Sequence, residues 1–261
     1  MFRSLATAAS GMEAQQQKLD VTANNIANVS TNGFKKGRAE FADLIYQQTR
    51  GAGTSTGQGT SAPAATEIGL GVRLTSTARE HAQGELHNTG NQLDVAIAGH
   101  GFLPVTVPNG TTQYTRDGAL QMTAEGKLVT SEGYAVGGDI TIPTDAQTVT
   151  ISSTGQVTAT IASDSQPVEL GQIQLATFAN PGGLEGQGGN LFRETSASGS
   201  AVLGNPGEGG AGNIRQGMLE VSNVNVVEEM VDLISGQRAY EVNSRVIKAA
   251  DEMLGETAQL R

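Results

Sequence analysis

Apolar residues recur at seven-residue intervals at both ends of the chain. Leu5, Met12, Leu19 and Ile26 form one series, and Val226, Leu233, Tyr240, Ile247 and Leu254 form the other. A seven-residue apolar period is the mark of helices that pack along a seam. The second position of the seam is weak, reading Met230, Gln237, Ser244, Asp251 in the C-terminal series. So thin a stripe buries little as an isolated helix and suits one wedged among others. All seven prolines lie between Pro63 and Pro206, residues 1–32 hold only Gly11, and residues 219–261 hold only Gly236 and Gly255. Proline and glycine both oppose helix interiors, so their scarcity marks the two ends as helical.

From Leu93 to about Phe178 the pattern changes to short alternating segments: Leu93–Ile97, Thr148–Ile151, Val157–Ile161 and Ile173–Phe178. Pro108-Asn109-Gly110, Asp117-Gly118, Glu125-Gly126, Glu132-Gly133, Thr154-Gly155 and Asn180-Pro181-Gly182 supply turns between them. Short strands at this spacing predict an all-β region. Residues 51–66 and 204–213 are rich in Gly or Ser/Thr and predict loops. Asn225 with Glu228 predicts the start of the C-terminal helix, and Asn32-Gly33 predicts the end of the N-terminal one. The expected fold is α+β, with paired, coiled-coil-like terminal helices flanking an all-β middle. Residues 1–33 with 219–261 would form a helical assembly domain, 34–92 an extended linking arm, and 93–218 an outer β-rich domain.

Composition narrows the function. Apolar residues are 37%, aromatics 4%, and there are 35 glycines, which predicts thin layers and a modest core. A net charge of -10 argues against nucleic acid and against an anionic membrane surface. With no cysteine, thiolate chemistry and cysteine metal sites are excluded. Gln15, Gln16, Gln17 and Lys18 interrupt any secretory h-region, so an exported chain would use another route.

Motifs for chemistry are sparse. Gly53-Thr54-Ser55-Thr56-Gly57 matches a nucleophile elbow in pattern, but lies in a low-complexity stretch without a strand before and a helix after. Gly207 to Gly212 matches G-x-G-x-x-G without a surrounding βαβ pattern. His81, His87 and His100 have no metal-site spacing and read as solvated loop residues. No catalytic, metal-binding or cofactor-binding residues are assigned, and no small-molecule substrate is expected. The heptad stripes therefore become the main candidates for function, as intermolecular seams.

Several segments resemble the flagellar basal-body rod proteins. Val21 to Lys35 (VTANNIANVSTNGFK) is similar to the signature of that family. Asp94 to Phe102, Tyr114-Thr115-Arg116-Asp117-Gly118, Ser222 to Val226 and Gln237 to Glu241 extend the resemblance along nearly the whole chain. The ends are shared with hook and other rod proteins. Chain length and the extra segment Tyr46 to Pro63 resemble the distal-rod branch, with proximal rod or hook-type proteins as the alternative. A secreted β-rich adhesin and a cell-wall-cutting enzyme are the rival readings from other classes.

The resemblance implies a structural subunit that stacks helically into a hollow, torque-bearing shaft across the periplasm after export by the flagellar type III apparatus. Implied partners are copies of itself, other rod subunits, the hook protein and the surrounding ring proteins; no cofactor is implied. The self-assembly residues would be Leu5, Met12, Leu19, Asn24, Asn25, Ile26, Asn28, Asn32, Gly33, Phe34, Val226, Met230, Leu233, Tyr240, Ile247 and Leu254. A rod-stiffening arm would involve Tyr46, Gln47, Gln48, Arg50 and Pro63.

Overall fold

Two long helices carry the ends of the chain and short strands carry the middle, as expected from the α+β pattern. The computed structural model describes residues 2–57, 60–61, 63–137, 140–161 and 164–259. They fall into two units. The first comprises Met1–Ala27, Gly37–Ala78 and Asn225–Arg261, and the second Asn28–Lys36 and Arg79–Val224. This division differs from the expected one. Much of the linking segment belongs with the helices, because Gly37–Asp43 and Val72–Arg79 pair as a two-stranded ribbon whose first strand contacts the N-terminal helix.

In the helical unit, α1 spans Phe2–Ala27 and α2 spans Val226–Gln259. The Asn225 Oδ1 accepts a hydrogen bond from the Val227 amide at 3.1 Å, an N-cap, and Glu228 and Glu229 occupy the first turn, where the helix dipole favours negative charge. The helices run antiparallel. Gly11 faces Asn243, Leu19 faces Gly236, Lys18 pairs with Asp232 at 3.0 Å, and Asn25 meets Glu229 at 3.0 Å. Glycine at 11 and 236 lets the backbones approach. A Cβ at Gly236 would stand 2.9 Å from the Leu19 side chain.

Helix α1 stops at Ala27, before the expected Asn32-Gly33. A turn follows, in which the Thr31 amide donates to the Asn28 carbonyl at 3.1 Å. Gly33 has the expected positive φ of 67°, but for a different reason. Any Cβ there would press within 2.7 Å of the Arg116 backbone, and its amide donates to the Glu220 carbonyl at 2.8 Å.

The β unit is built on a seven-stranded antiparallel sheet. It includes the hairpin Leu103–Thr106 with Thr112–Thr115 and the strand Leu191–Arg193. A three-stranded sheet joins Ala146–Ile151, Gln156–Ile161 and Asp164–Gln172. The expected turns at Gly110, Gly126, Gly133 and Gly155 all have positive φ. Leu103, Val105, Leu120, Leu128, Val136, Val157, Ile173 and Leu175 close one aliphatic core, each no more than 2% exposed. A second cluster gathers Phe102, Tyr114, Leu184 and Phe192. Few aromatics suffice because they are concentrated there: Tyr114 and Phe178 meet edge-to-face at 4.8 Å, and Phe102 touches both Phe178 and Phe192.

Candidate functional site

The surface of α2 is the most unusual in the chain. Val227, Met230, Val231, Ile234, Val242, Val246 and Met253 are all exposed, between 44% and 70%. At 100° per residue Val227, Met230, Val231, Ile234 and Val242 lie on the side of α2 away from Glu229, Asp232, Gly236 and Asn243, which face α1, and Val246 and Met253 lie along its flank. A row of large apolar groups in water over a helix of 34 residues is not expected of a finished fold. The exposed positions of α1, by contrast, are mostly small or polar: Ala6, Thr7, Ala9, Glu13, Gln16 and Asp20.

The sequence-derived assembly residues fall into distinct places. Val226, Met230 and Tyr240 are exposed, at 38%, 54% and 42%. Leu233, Ile247 and Leu254 are half-buried, as are Leu5, Met12, Leu19 and Ile26. The seven-residue stripes thus lean toward the pairing of α1 with α2 inside one chain. The row Val227, Val231, Ile234, Val242, Val246, which sequence reasoning missed, is the outward one. Its signal was present in the sequence as apolar residues spaced three, four or eight apart, from Val227 through Val231, Ile234 and Val242 to Val246.

The asparagines of the Val21–Lys35 segment are largely structural. Asn25, 2% exposed, donates from Nδ2 to the Gly37 carbonyl at 2.9 Å and to Glu229 Oε2 at 3.0 Å, and accepts from the Gly37 amide at 2.9 Å. Two donors and one acceptor in that geometry require an amide, which is why neither aspartate nor leucine would serve. Asn24 is exposed. In the β unit, Asn28 accepts from the Thr31 hydroxyl at 3.1 Å, the Asn32 carbonyl accepts from Asn190 at 3.2 Å, and Phe34 is half-buried.

Lys35 ends the segment in a buried charge cluster that sequence reasoning did not assemble. Its ammonium donates to Glu220 Oε1 at 2.7 Å and to the Ala82 carbonyl at 2.7 Å. Arg116 Nε donates to Glu220 Oε2, also at 2.7 Å, and the rest of its guanidinium serves the carbonyls of Ile97, Gly99 and Gly101. The three side chains are 1–5% exposed. Burial pushes the Glu220 carboxyl up, but the Arg116 charge and the Lys35 hydrogen bond overcome it and hold the group below its ordinary value. Burial pushes the Lys35 ammonium down, and the Glu220 contacts only partly offset it. One carboxylate serving two cations is fully compensated, while each cation has only a share of it, so the two directions are compatible. The cluster ties residues before and after the β domain together, since Lys35, Arg116 and Glu220 are distant in sequence. Their residue types were visible; their meeting was not.

The arm forms a hairpin where a loop was expected. Tyr46–Arg50 pairs antiparallel with Thr66–Gly69, and Ser55–Gly57 pairs with Thr60–Ser61; residues 58, 59 and 62 lie outside the described set. Tyr46, Gln47, Gln48 and Arg50 are exposed, and so is Pro63. Ile45 is 81% exposed, with Ile68 at 44% and Leu70 at 37% beside it. Asp43 accepts the Tyr46 hydroxyl and raises its pKa, and Glu67 accepts from Gln48 at 2.5 Å.

The chemical motifs do not form sites. The Gly53–Gly57 run lies on the arm hairpin, and the element after Gly207–Gly212 is the strand Asn213–Gln216, where a dinucleotide motif needs a helix. Among the described residues, no group of acidic residues and histidines is arranged to hold a metal ion. His81 corrects its expected solvation. Its ring packs edge-on to Phe102 at 5.8 Å and Phe192 at 6.1 Å, and burial, followed by the charges of Lys35, Arg79 and Arg116, lowers its pKa to about 4. No described helix is long and apolar enough to cross a membrane.

Three family profiles match the chain. "Flagella basal body rod protein" covers residues 5–35, "Flagellar hook protein FlgE/F/G D1 domain" covers 96–159, and "Flagellar basal body rod FlgEFG protein C-terminal" covers 215–260. The chain is 47% identical to the flagellar basal-body rod protein FlgG of Borreliella burgdorferi, over 100% of this chain and 99% of that protein. It is 50% identical to the FlgG of Agrobacterium fabrum, over 97% of each. With the FlgG of Caulobacter vibrioides identity is 49% over the full length of both.

Proposed function

Because the chain belongs to the flagellar basal-body rod protein family, as a structural subunit of the distal rod and not an enzyme, we propose that it polymerises through its terminal helices into a rigid, hollow shaft that carries torque from motor to hook. The adhesin reading has no support among its relatives. The observation that carries the proposal is the exposed apolar row on α2. Each Val, Ile or Met withdrawn from water contributes about 1.5–3 kcal/mol when fully buried, so a row of this length drives stable association. Neighbouring copies stack so that these residues fill one another's grooves, and knobs held in holes resist sliding under torque. The shaft crosses the periplasm, its subunits leave the cell through the flagellar type III apparatus, and its partners are further copies, other rod subunits, the hook protein and ring proteins.

Val231→Asp tests this directly. Val231 is 62% exposed, so the substitution leaves the folded monomer intact while placing a charge in the proposed seam. Electron microscopy of polymers grown from the purified full chain is expected to find none. Normal shafts from this variant would overturn the seam.

The arm adds contacts that stiffen the shaft. A two-stranded ribbon is marginal by itself, and this one exposes Ile45, Tyr46 and Ile68. Deleting residues 46–69 removes both long strands and is expected to give curved or flexible shafts. Straight shafts of unchanged stiffness would remove the arm from the mechanism.

A further inference from the structure

A cavity of about 520 Å³ opens in the β unit beside the buried charge cluster. Its size falls in the range of small-ligand pockets, about 300–1,000 Å³. Lys35, Arg116 and His81 line it together with the apolar Phe102, Phe178 and Val202. Two features are left unused by the folded chain. The His81 Nδ1 is buried without a hydrogen-bond partner, while the ring's other nitrogen is engaged by the Pro181 carbonyl. Lys35 spends two of its three N–H donors, on Glu220 and on the Ala82 carbonyl. A buried polar atom in a native fold is normally satisfied, so an orphaned one asks for an occupant.

Charge decides what kind. Three cations, Lys35, Arg79 and Arg116, act on His81, and among the described residues Glu220 is the carboxylate paired with Lys35 and Arg116. The local balance is positive inside a chain whose net charge is -10. Aromatic walls thin the water and strengthen that field. A cation is repelled there, and a bare inorganic anion leaves the apolar walls unfilled.

We propose that this pocket binds a carboxylate carried on an apolar or aromatic body, with Lys35 and His81 Nδ1–H donating to the carboxylate and Phe102 and Phe178 packing the body. A neutral imidazole already donating through its other nitrogen has only a lone pair at Nδ1, so the carboxylate enters together with one proton. Two sources share this chemistry: an acidic side chain beside an apolar one on a neighbouring protein subunit, and a free aromatic acid. The pocket lies within one chain, so its binding does not depend on polymerisation.

The test titrates the full chain, labelled with ¹³C-histidine and kept dilute, with 3-phenylpropionate and separately with 3-phenylpropionamide, its neutral counterpart. The carboxylate is expected to saturate a shift of the His81 resonances, raise the His81 pKa, and bind at least tenfold more tightly than the amide. His81→Gln identifies the resonance and is expected to weaken binding about tenfold. Val202→Trp fills the rim from a position 65% exposed and is expected to abolish binding with unchanged melting. Equal binding of acid and amide, or no movement of His81 with either, overturns the proposal. Saturating phenylpropionate added during polymer growth then separates the sources. Arrested growth identifies a subunit's acidic side chain as the occupant, and unaffected growth identifies a free acid. Absence of any polymer without the acid would count against the seam on α2 and leave the pocket result standing.

Discussion

The two units handle their polar and apolar residues in opposite ways. In the β unit, Leu103, Val136, Ile173 and Leu175 are fully buried, and the buried charges Lys35, Arg116 and Glu220 are matched to one another. In the helical unit the buried side chains include Thr22, Asn25 and Glu229, the buried apolar ones are alanines, and the valines and methionines of α2 face water. The first unit is a closed fold. The second holds its register by hydrogen bonds and close helix approach, and leaves its hydrophobic free energy unspent until another surface arrives. A subunit that must be stable and yet polymerise can divide the tasks in this way.

The comparison breaks most readily at Glu220. Glu220→Gln leaves Lys35 and Arg116 buried with no counter-charge and is expected to cost the β unit about 3–5 kcal/mol. Urea unfolding followed through Tyr114 environment would read it; a loss below ~1 kcal/mol would mean the cluster is not what closes that unit. Acid acts on the same group. The Glu220 pKa is lowered on folding, so its contribution is fully present above the ordinary carboxylate range, near pH 4.3, and is lost as pH falls through the folded value. The Glu220 share of β-unit stability is therefore expected to hold through neutrality and to be lost only in strong acid, whereas His81, held neutral by burial with a pKa of about 4, lowers the melting temperature already as pH falls below the ordinary imidazole range.

Asn25→Asp probes the other unit. It removes both donors and sets a second carboxylate against Glu229, at an expected cost of about 2–3 kcal/mol. Helical circular dichroism should melt earlier while the β unit is unmoved. Unchanged helical melting would show that the Gly37 clamp is dispensable. The smallest effect separates the two helical glycines. Gly255 has open space where a Cβ would go, so Gly255→Ala is expected to stabilise α2 by about 0.5–1 kcal/mol. Gly236→Ala gains the same helix propensity but presses on Leu19, and its net change is expected to be smaller. Equal gains at both would mean the helices are not in close contact at Gly236.

Local chemistry made much of this protein legible from its residues alone. The scarcity of Gly and Pro, the Asn225 cap and the heptad leucines place two terminal helices, because helix formation depends on residues three and four apart. Turn glycines such as Gly126 and Gly155 reveal themselves because few other residues adopt their positive φ. The signature from Val21 to Lys35 marks the family. Tertiary structure alone decided the rest. It turned the Leu233–Ile247 stripe toward α1 and the Val227–Val246 row outward, since a helix with two apolar stripes carries no label for which one its own chain will cover. It made Asn25 a clamp and Gly33 a close contact with the Arg116 backbone, rather than the helix stop its sequence suggested. It also brought Lys35 and Arg116 each to 2.7 Å from a Glu220 oxygen across long stretches of chain, and a charge states its sign in a sequence but not its partner.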